Sequence, residues 1–138
     1  MARILIIEDD ELLRHVLAKS LEMAGHQVDQ AANGQEGLDL FRAVTPDLVL
    51  TDLVMPVQEG VETIMALRRR APAIPIIAMS GGVPNSGLYL GIASRFGAKR
   101  VLAKPFTPQR LLDAVNETLG DAGNGPKPGS GTGSQNST

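Results

Sequence analysis

The sequence predicts an α/β domain built on a five-stranded parallel sheet, doubly wound in the order 2-1-3-4-5, with helices on both faces. Three observations lead there. Short runs rich in Ile, Val and Leu recur at Ile4–Ile7, Val28–Ala32, Leu48–Leu50, Ile74–Ala78 and Arg100–Ala103. The chain between successive runs is long enough for a helix and two loops, the minimum a parallel crossover requires. Those intervals carry apolar residues at helical spacing, so strand and helix alternate strictly, and right-handed crossovers leave few topologies. In this order the winding reverses between the first and third strands, and ligands bind there, beyond the carboxyl ends of the strands.

The elements follow in turn. Ile4–Ile7 is too short for a signal-peptide core or a membrane span and reads as the first strand. Leu13, Val16, Leu17, Leu21 and Ala24 then repeat at three-and-four spacing, with Arg14 and Lys19 off the stripe and Gly25 as the stop. After the second strand, Asn33 and Gly34 open a helix whose stripe is Leu38, Phe41 and Val44, and Pro46 closes it. The third strand leads to a helix carrying Val61, Ile64, Met65, Leu67 and Arg68, which ends before Pro72. A breaker-rich loop, Val83-Pro84-Asn85-Ser86-Gly87, and a weaker helix over Leu88–Phe96 separate the last two strands. Thr107 caps the final helix, Pro108 takes its first position, and Leu111, Leu112, Val115 and Leu119 form its stripe. From Asp121 the composition turns to Gly, Pro, Ser, Asn and Thr, so residues 1–120 are expected to be the domain and 121–138 a flexible tail.

Composition removes several classes of function. With 138 residues, 43% hydrophobic and 20% charged, the chain can bury one full core. A net charge of −2 without a basic arm argues against direct nucleic-acid binding, which needs clustered Lys and Arg. The absence of Cys excludes disulfides, thiolate metal sites and thiol nucleophiles. No membrane segment is expected, and a cytoplasmic location is the default. Arg68-Arg69-Arg70 is expected to be a solvated helix end near the C-terminal dipole, and His15 and His26 to be surface or helix-packing residues.

The charged residues fall in a pattern on this sheet. Glu8, Asp9 and Asp10 follow the first strand and Asp52 ends the third, so both sets of acids converge where the winding reverses. Crowded carboxylates repel unless a cation sits among them, and hard oxygen donors suit Mg²⁺. Asp10 is assigned to capping the next helix instead. Ser80, in Ser80-Gly81-Gly82, ends the fourth strand, and Lys104, in Lys104-Pro105-Phe106, ends the fifth. A hydroxyl and an ammonium beside a metal-bound carboxylate shape a site for a phosphoryl group, whose oxygens Mg²⁺, Ser80 and Lys104 would share while Asp52 attacks in line.

With these residues in place, the sequence resembles the receiver domain of bacterial two-component response regulators. The resemblance covers about residues 1 to 120 and is carried by ILIIEDDE, PDLVLTDLVMPVQEG, IIAMSG and GAKRVLAKPF. It implies that Asp52 accepts a phosphoryl group and that the Mg²⁺ ligands are Asp9 directly, Glu8 through water, Asp52, and the backbone carbonyl of Val54. It further implies that Ser80 is the switch hydroxyl, that Lys104 neutralises the phosphoryl charge, and that the Lys104-Pro105 bond is cis. The implied partners are a histidine kinase or histidine phosphotransfer protein and a downstream protein target, with no nucleic acid or membrane, on a monomer or weak phosphorylation-dependent dimer. The chain would be a signalling switch with no attached output domain, not an enzyme acting on outside substrates, and would catalyse only its own Mg²⁺-dependent phosphotransfer and autodephosphorylation. A haloacid-dehalogenase-type phosphatase would want a second Asp two residues after Asp52, and Val54 stands there.

Three departures from the receiver pattern stand out. Val101 occupies the place, three residues before Lys104, where receivers usually carry Tyr or Phe. Without a ring to swing inward, coupling to the face of the fourth helix and fifth strand is not expected in its familiar form. The stretch from Ser80 to Lys104 is slightly long, and Val57-Gln58-Glu59 replaces the commoner Gly-Met-Asp.

Overall fold

Parallel strands bury both faces, and the near-continuous apolar runs of the sequence match a sheet clad on both sides. The computed structural model describes residues 2–53, 57–81, 91, 95 and 97–123. They form β1 (Arg3–Ile7), α1 (Glu11–Met23), β2 (Gln27–Ala31), α2 (Gly34–Ala43), β3 (Leu48–Asp52), α3 (Val57–Arg70), β4 (Ile76–Gly81), β5 (Arg100–Lys104) and α4 (Pro108–Gly123). All four strand pairings are parallel, and the sheet order is β2-β1-β3-β4-β5. Apart from Gly91 and Arg95, the expected helix over Leu88–Phe96 lies outside the described residues, as do the loop Val83–Gly87 and most of the stretch from 121 to 138. α4 runs to Gly123, three residues past the expected boundary.

The period of two along each strand sorts the core into two halves. Leu5, Ile7, Val49, Ile76 and Ala78 face one way and pack with Phe41, Ile64 and Leu67 from α2 and α3. Ile4, Ile6, Leu48, Leu50, Ile77, Met79 and Leu102 face the other and meet Leu17, Leu21, Leu111 and Val115 from α1 and α4. Close approach of α2 depends on glycine: a Cβ on Gly37 would lie 2.4 Å from Ile7 Cδ1, and one on Gly34 would lie 2.3 Å from Thr63 Oγ1.

Local signals set the boundaries. Asp10, Asn33 and Thr107 each accept a hydrogen bond from a backbone N–H three residues on, at 3.0, 2.9 and 3.0 Å, as N-caps do. Gly25, at φ 99°, lets the chain leave α1 in the left-handed region. β4 starts at Ile76, not Ile74, because Pro75 has no N–H for the ladder; its carbonyl still accepts from Val49 N at 3.0 Å.

Further expectations are corrected: Ala24 is exposed, and Val44 is the 47% exposed cap beyond α2 rather than part of its buried stripe. Val16 is 48% exposed, and Ala18 takes its place beside Leu17 and Leu21 in the buried face of α1, because Val16 stands at the edge of the apolar stripe. Arg68 is not a solvated helix end. Its guanidinium donates to the carbonyls of Pro72 (2.9 Å), Ile74 (2.6 Å) and Gly97 (2.6 Å), and burial pulls its pKa below the ordinary value. Arg69 and Arg70 are exposed as expected, as is His15, while His26 Nδ1 accepts from Ala2 N at 3.2 Å.

Candidate functional site

Glu8, Asp52 and Lys104 are each two residues beyond a buried residue on the same face of the sheet, namely Ile6, Leu50 and Leu102. Strand periodicity therefore carries three charged side chains toward one spot at the carboxyl edge. Lys104 Nζ donates to Glu8 Oε1 at 3.0 Å and lies 3.3 Å from Asp52 Oδ1. The two carboxylate side chains are 1% exposed and the lysine side chain 18%. The Lys104-Pro105 peptide bond is cis.

The turn after β1 brings in the remaining acid. Glu8 N donates to Ala31 O at 3.0 Å, Asp10 N donates to Glu8 Oε2 at 3.1 Å, and Arg14 donates to Glu8 O at 2.8 Å. Asp10 is engaged as the α1 cap, whereas Asp9 is exposed and joins Glu8 and Asp52: one carboxylate oxygen from each of these three residues lies within 4.8 Å of the others. Asp10 thus caps α1, as assigned from sequence. Ser80, fully buried in β4, pairs in register with Ala103 and adjoins the Gly81–Lys104 pair; its Oγ has no hydrogen-bond partner among the described residues. Val54, expected to lend its carbonyl, lies outside the described residues. Sequence reasoning missed Arg14, whose position off the apolar stripe is equally compatible with a solvated side chain.

The electrostatics reflect taking two acids and one base out of water. Burial pushes the Glu8 carboxyl up to about 7, outweighing the Lys104 and Asp10 N–H contacts that favour its charged form, and the nearby Asp52 carboxylate pushes the same way. Burial by itself would lower the Lys104 ammonium, but its hydrogen bond to Glu8 and the charges of Asp52 and Glu8 prevail and leave it above its ordinary value. One ammonium does not balance the carboxylates of Glu8, Asp52 and the adjoining Asp9. The donor set, all hard oxygens converging within a few ångströms, fits a divalent cation of the Mg²⁺ kind. Among the described residues no helix is long and apolar enough to cross a membrane.

Comparison with known proteins identifies the family of the chain. The chain matches the response regulator receiver domain family over residues 4–116. It is 38% identical over 121 residues to protein PilH of Pseudomonas aeruginosa, covering 86% of this chain and 98% of that one. It is 31% identical over 116 residues to chemotaxis protein CheY of Thermotoga maritima, covering 83% and 95% of the two chains. The response regulator MprA of Mycolicibacterium vanbaalenii is 36% identical over 117 residues, spanning 85% of this chain but 50% of MprA. Among solved structures, Vibrio cholerae chemotaxis protein CheY4 superposes with a TM-score of 0.77 at 28% identity, over 86% of this chain and 98% of that one.

Proposed function

The chain belongs to the response regulator receiver domain family of two-component systems, and from that premise we propose that it is a phosphorylation switch in which Asp52 accepts a phosphoryl group. The observation that carries the reading is the convergence of Glu8, Asp9, Asp52 and Lys104 at one end of the sheet. The donor would be a phosphohistidine on a histidine kinase or phosphotransfer protein. An Asp52 carboxylate oxygen forms the new bond to phosphorus as the bond from phosphorus to the imidazole nitrogen breaks, and the freed imidazole takes up a proton.

The chain's own residues supply positioning and charge. Asp9 and Asp52 would hold Mg²⁺ directly, Glu8 through water, and the Val54 carbonyl would complete the protein ligands. When bound, the ion supplies positive charge for the phosphoryl oxygens. Lys104, held between Glu8 and Asp52, would neutralise a phosphoryl oxygen, and Ser80 would offer a hydroxyl donor, its Oγ having no hydrogen-bond partner among the described residues. Phosphorylation adds roughly −1.5 to −2 charges beside two acids, so the balance of contacts made by Lys104 and Ser80 must differ between two conformations for the signal to leave the site. Output would be docking to another protein or onward phosphotransfer, without turnover of outside substrates.

The test is intact-protein mass spectrometry after incubation with acetyl phosphate or phosphoramidate. A single Mg²⁺-dependent, hydroxylamine-sensitive adduct is expected, and Asp52→Asn should abolish it. Undiminished labelling of Asp52→Asn would make another residue the acceptor and overturn the assignment.

A further inference from the structure

Arg14 is unassigned in the mechanism above, yet it reaches into the turn that carries the acids. β1 ends at Ile7, and its pairing with β2 and β3 ends there too, so the Glu8 carbonyl lies beyond the ladder on both sides. A buried backbone oxygen at such a point needs a donor. Arg14, in the first turns of α1, supplies it at 2.8 Å through a charge-assisted bond. The Glu8 carbonyl belongs to the peptide plane shared with Asp9, and the direction of that plane sets where the Asp9 side chain leaves the backbone.

We propose that Arg14 is a positioning residue for the metal site: its bond to the Glu8 carbonyl fixes the peptide plane between Glu8 and Asp9 and so aims the Asp9 carboxylate toward Glu8 and Asp52. The inference rests on the reading of that cluster as a Mg²⁺ site. The neighbouring contacts act together with it. Glu8 N is held by Ala31, and Glu8 Oε2 receives the Asp10 N–H, so Arg14 secures the remaining polar backbone atom of Glu8. A purely electrostatic role predicts the opposite sign. A guanidinium beside three acids repels a divalent ion, so removing it would tighten binding, whereas removing a positioning contact loosens it.

Calorimetric Mg²⁺ titration of the wild type, Arg14→Lys and Arg14→Gln at one ionic strength separates these roles, with far-UV circular dichroism to check folding. Partners that orient metal ligands from behind are worth about 10–100-fold in affinity. Arg14→Gln is expected at roughly the tenfold end of that range, since the lost positive charge works the other way. Arg14→Lys keeps the charge but not the planar fork and should fall between the two. Equal or tighter binding by Arg14→Gln overturns the proposal. Should that variant not fold, Arg14→Lys decides: weaker binding supports positioning, and wild-type affinity overturns it. The wild-type titration reads the metal site itself. A wild type that bound no Mg²⁺ would sink the proposed function, whereas wild-type binding with unaffected variants would sink only the role of Arg14.

Discussion

Lys104 and Arg68 are both partly buried cations, and they hold opposite ends of the same sheet in different ways. Lys104 sits at the carboxyl edge between two carboxylates, Glu8 at 3.0 Å and Asp52 at 3.3 Å. Arg68 sits below the amino ends of β4 and β5 and binds the carbonyls of Pro72, Ile74 and Gly97. Under the proposed function the partners of Lys104 would gain protons, metal or phosphate, so its interactions would change with the chemical state of the site. Those of Arg68 are fixed dipoles, and a guanidinium stays charged at any pH the fold survives. One end of the molecule is therefore adjustable and the other is a clamp. The clamp is also sterically closed: a Cβ on Gly97, whose φ is 119°, would come within 2.9 Å of Arg68 Nε.

The largest effect on stability is expected from breaking the clamp. Arg68→Met removes three hydrogen bonds from a charged donor and should lower unfolding stability by roughly 4 kcal/mol, measured by urea denaturation, while leaving Mg²⁺ affinity unchanged. A matching loss of Mg²⁺ affinity would show that the two ends are coupled and that the contrast is false.

At the adjustable end the expected change is smaller and depends on pH. Glu8 is pushed up to about 7 from an ordinary 4.5, so the folded chain holds this proton more tightly than the unfolded one. The stability this contributes is fully present below 4.5 and is lost as pH rises through about 7. Each tenfold gain in proton affinity corresponds to about 1.4 kcal/mol, so Glu8→Gln should match the wild type near pH 4.5 and exceed it by roughly 2–3 kcal/mol at pH 8. Equal denaturant midpoints at pH 8 would mean that Glu8 carries no such strain.

Within the acidic turn, neighbouring residues should separate stability from binding. Asp10→Ala removes the α1 cap and should cost about 1 kcal/mol with Mg²⁺ affinity near wild type. Asp9→Ala should do the reverse, weakening Mg²⁺ binding with little effect on stability, and equal effects in calorimetry would erase the distinction. The smallest effect concerns His26, whose pKa is lowered by burial and by the nearby N-terminal charge. Its contribution is present above about 6.5 and is lost as pH falls below that value, opposite in slope to that of Glu8. An NMR titration midpoint for His26 at or above 6.5 would contradict this.

Val101 gives the comparison a further test. It is 36% exposed on β5 and carries no ring. Amide shifts on adding beryllofluoride are expected to concentrate around Asp52 and Ser80. Spread through β5 and the chain before it, as in aromatic-bearing receivers, would overturn the inference drawn from Val101.

Most of this architecture could be read from the chain because it depends on local rules. Alternating strands and helices, the caps Asp10, Asn33 and Thr107, and the period of two that sends Glu8, Asp52 and Lys104 to one rim are all set by residues near each other in sequence. What tertiary structure decided lies in long-range contacts. Arg68 looks like any solvated arginine until Gly97, 29 residues away, offers its carbonyl. Glu8 is an ordinary carboxylic acid until burial beside Asp52 and Lys104 moves its proton affinity toward neutrality. Spacing and propensity specify which groups reach the rim, but desolvation and the charges of distant segments determine how those groups behave, and neither exists until the sheet has closed around them.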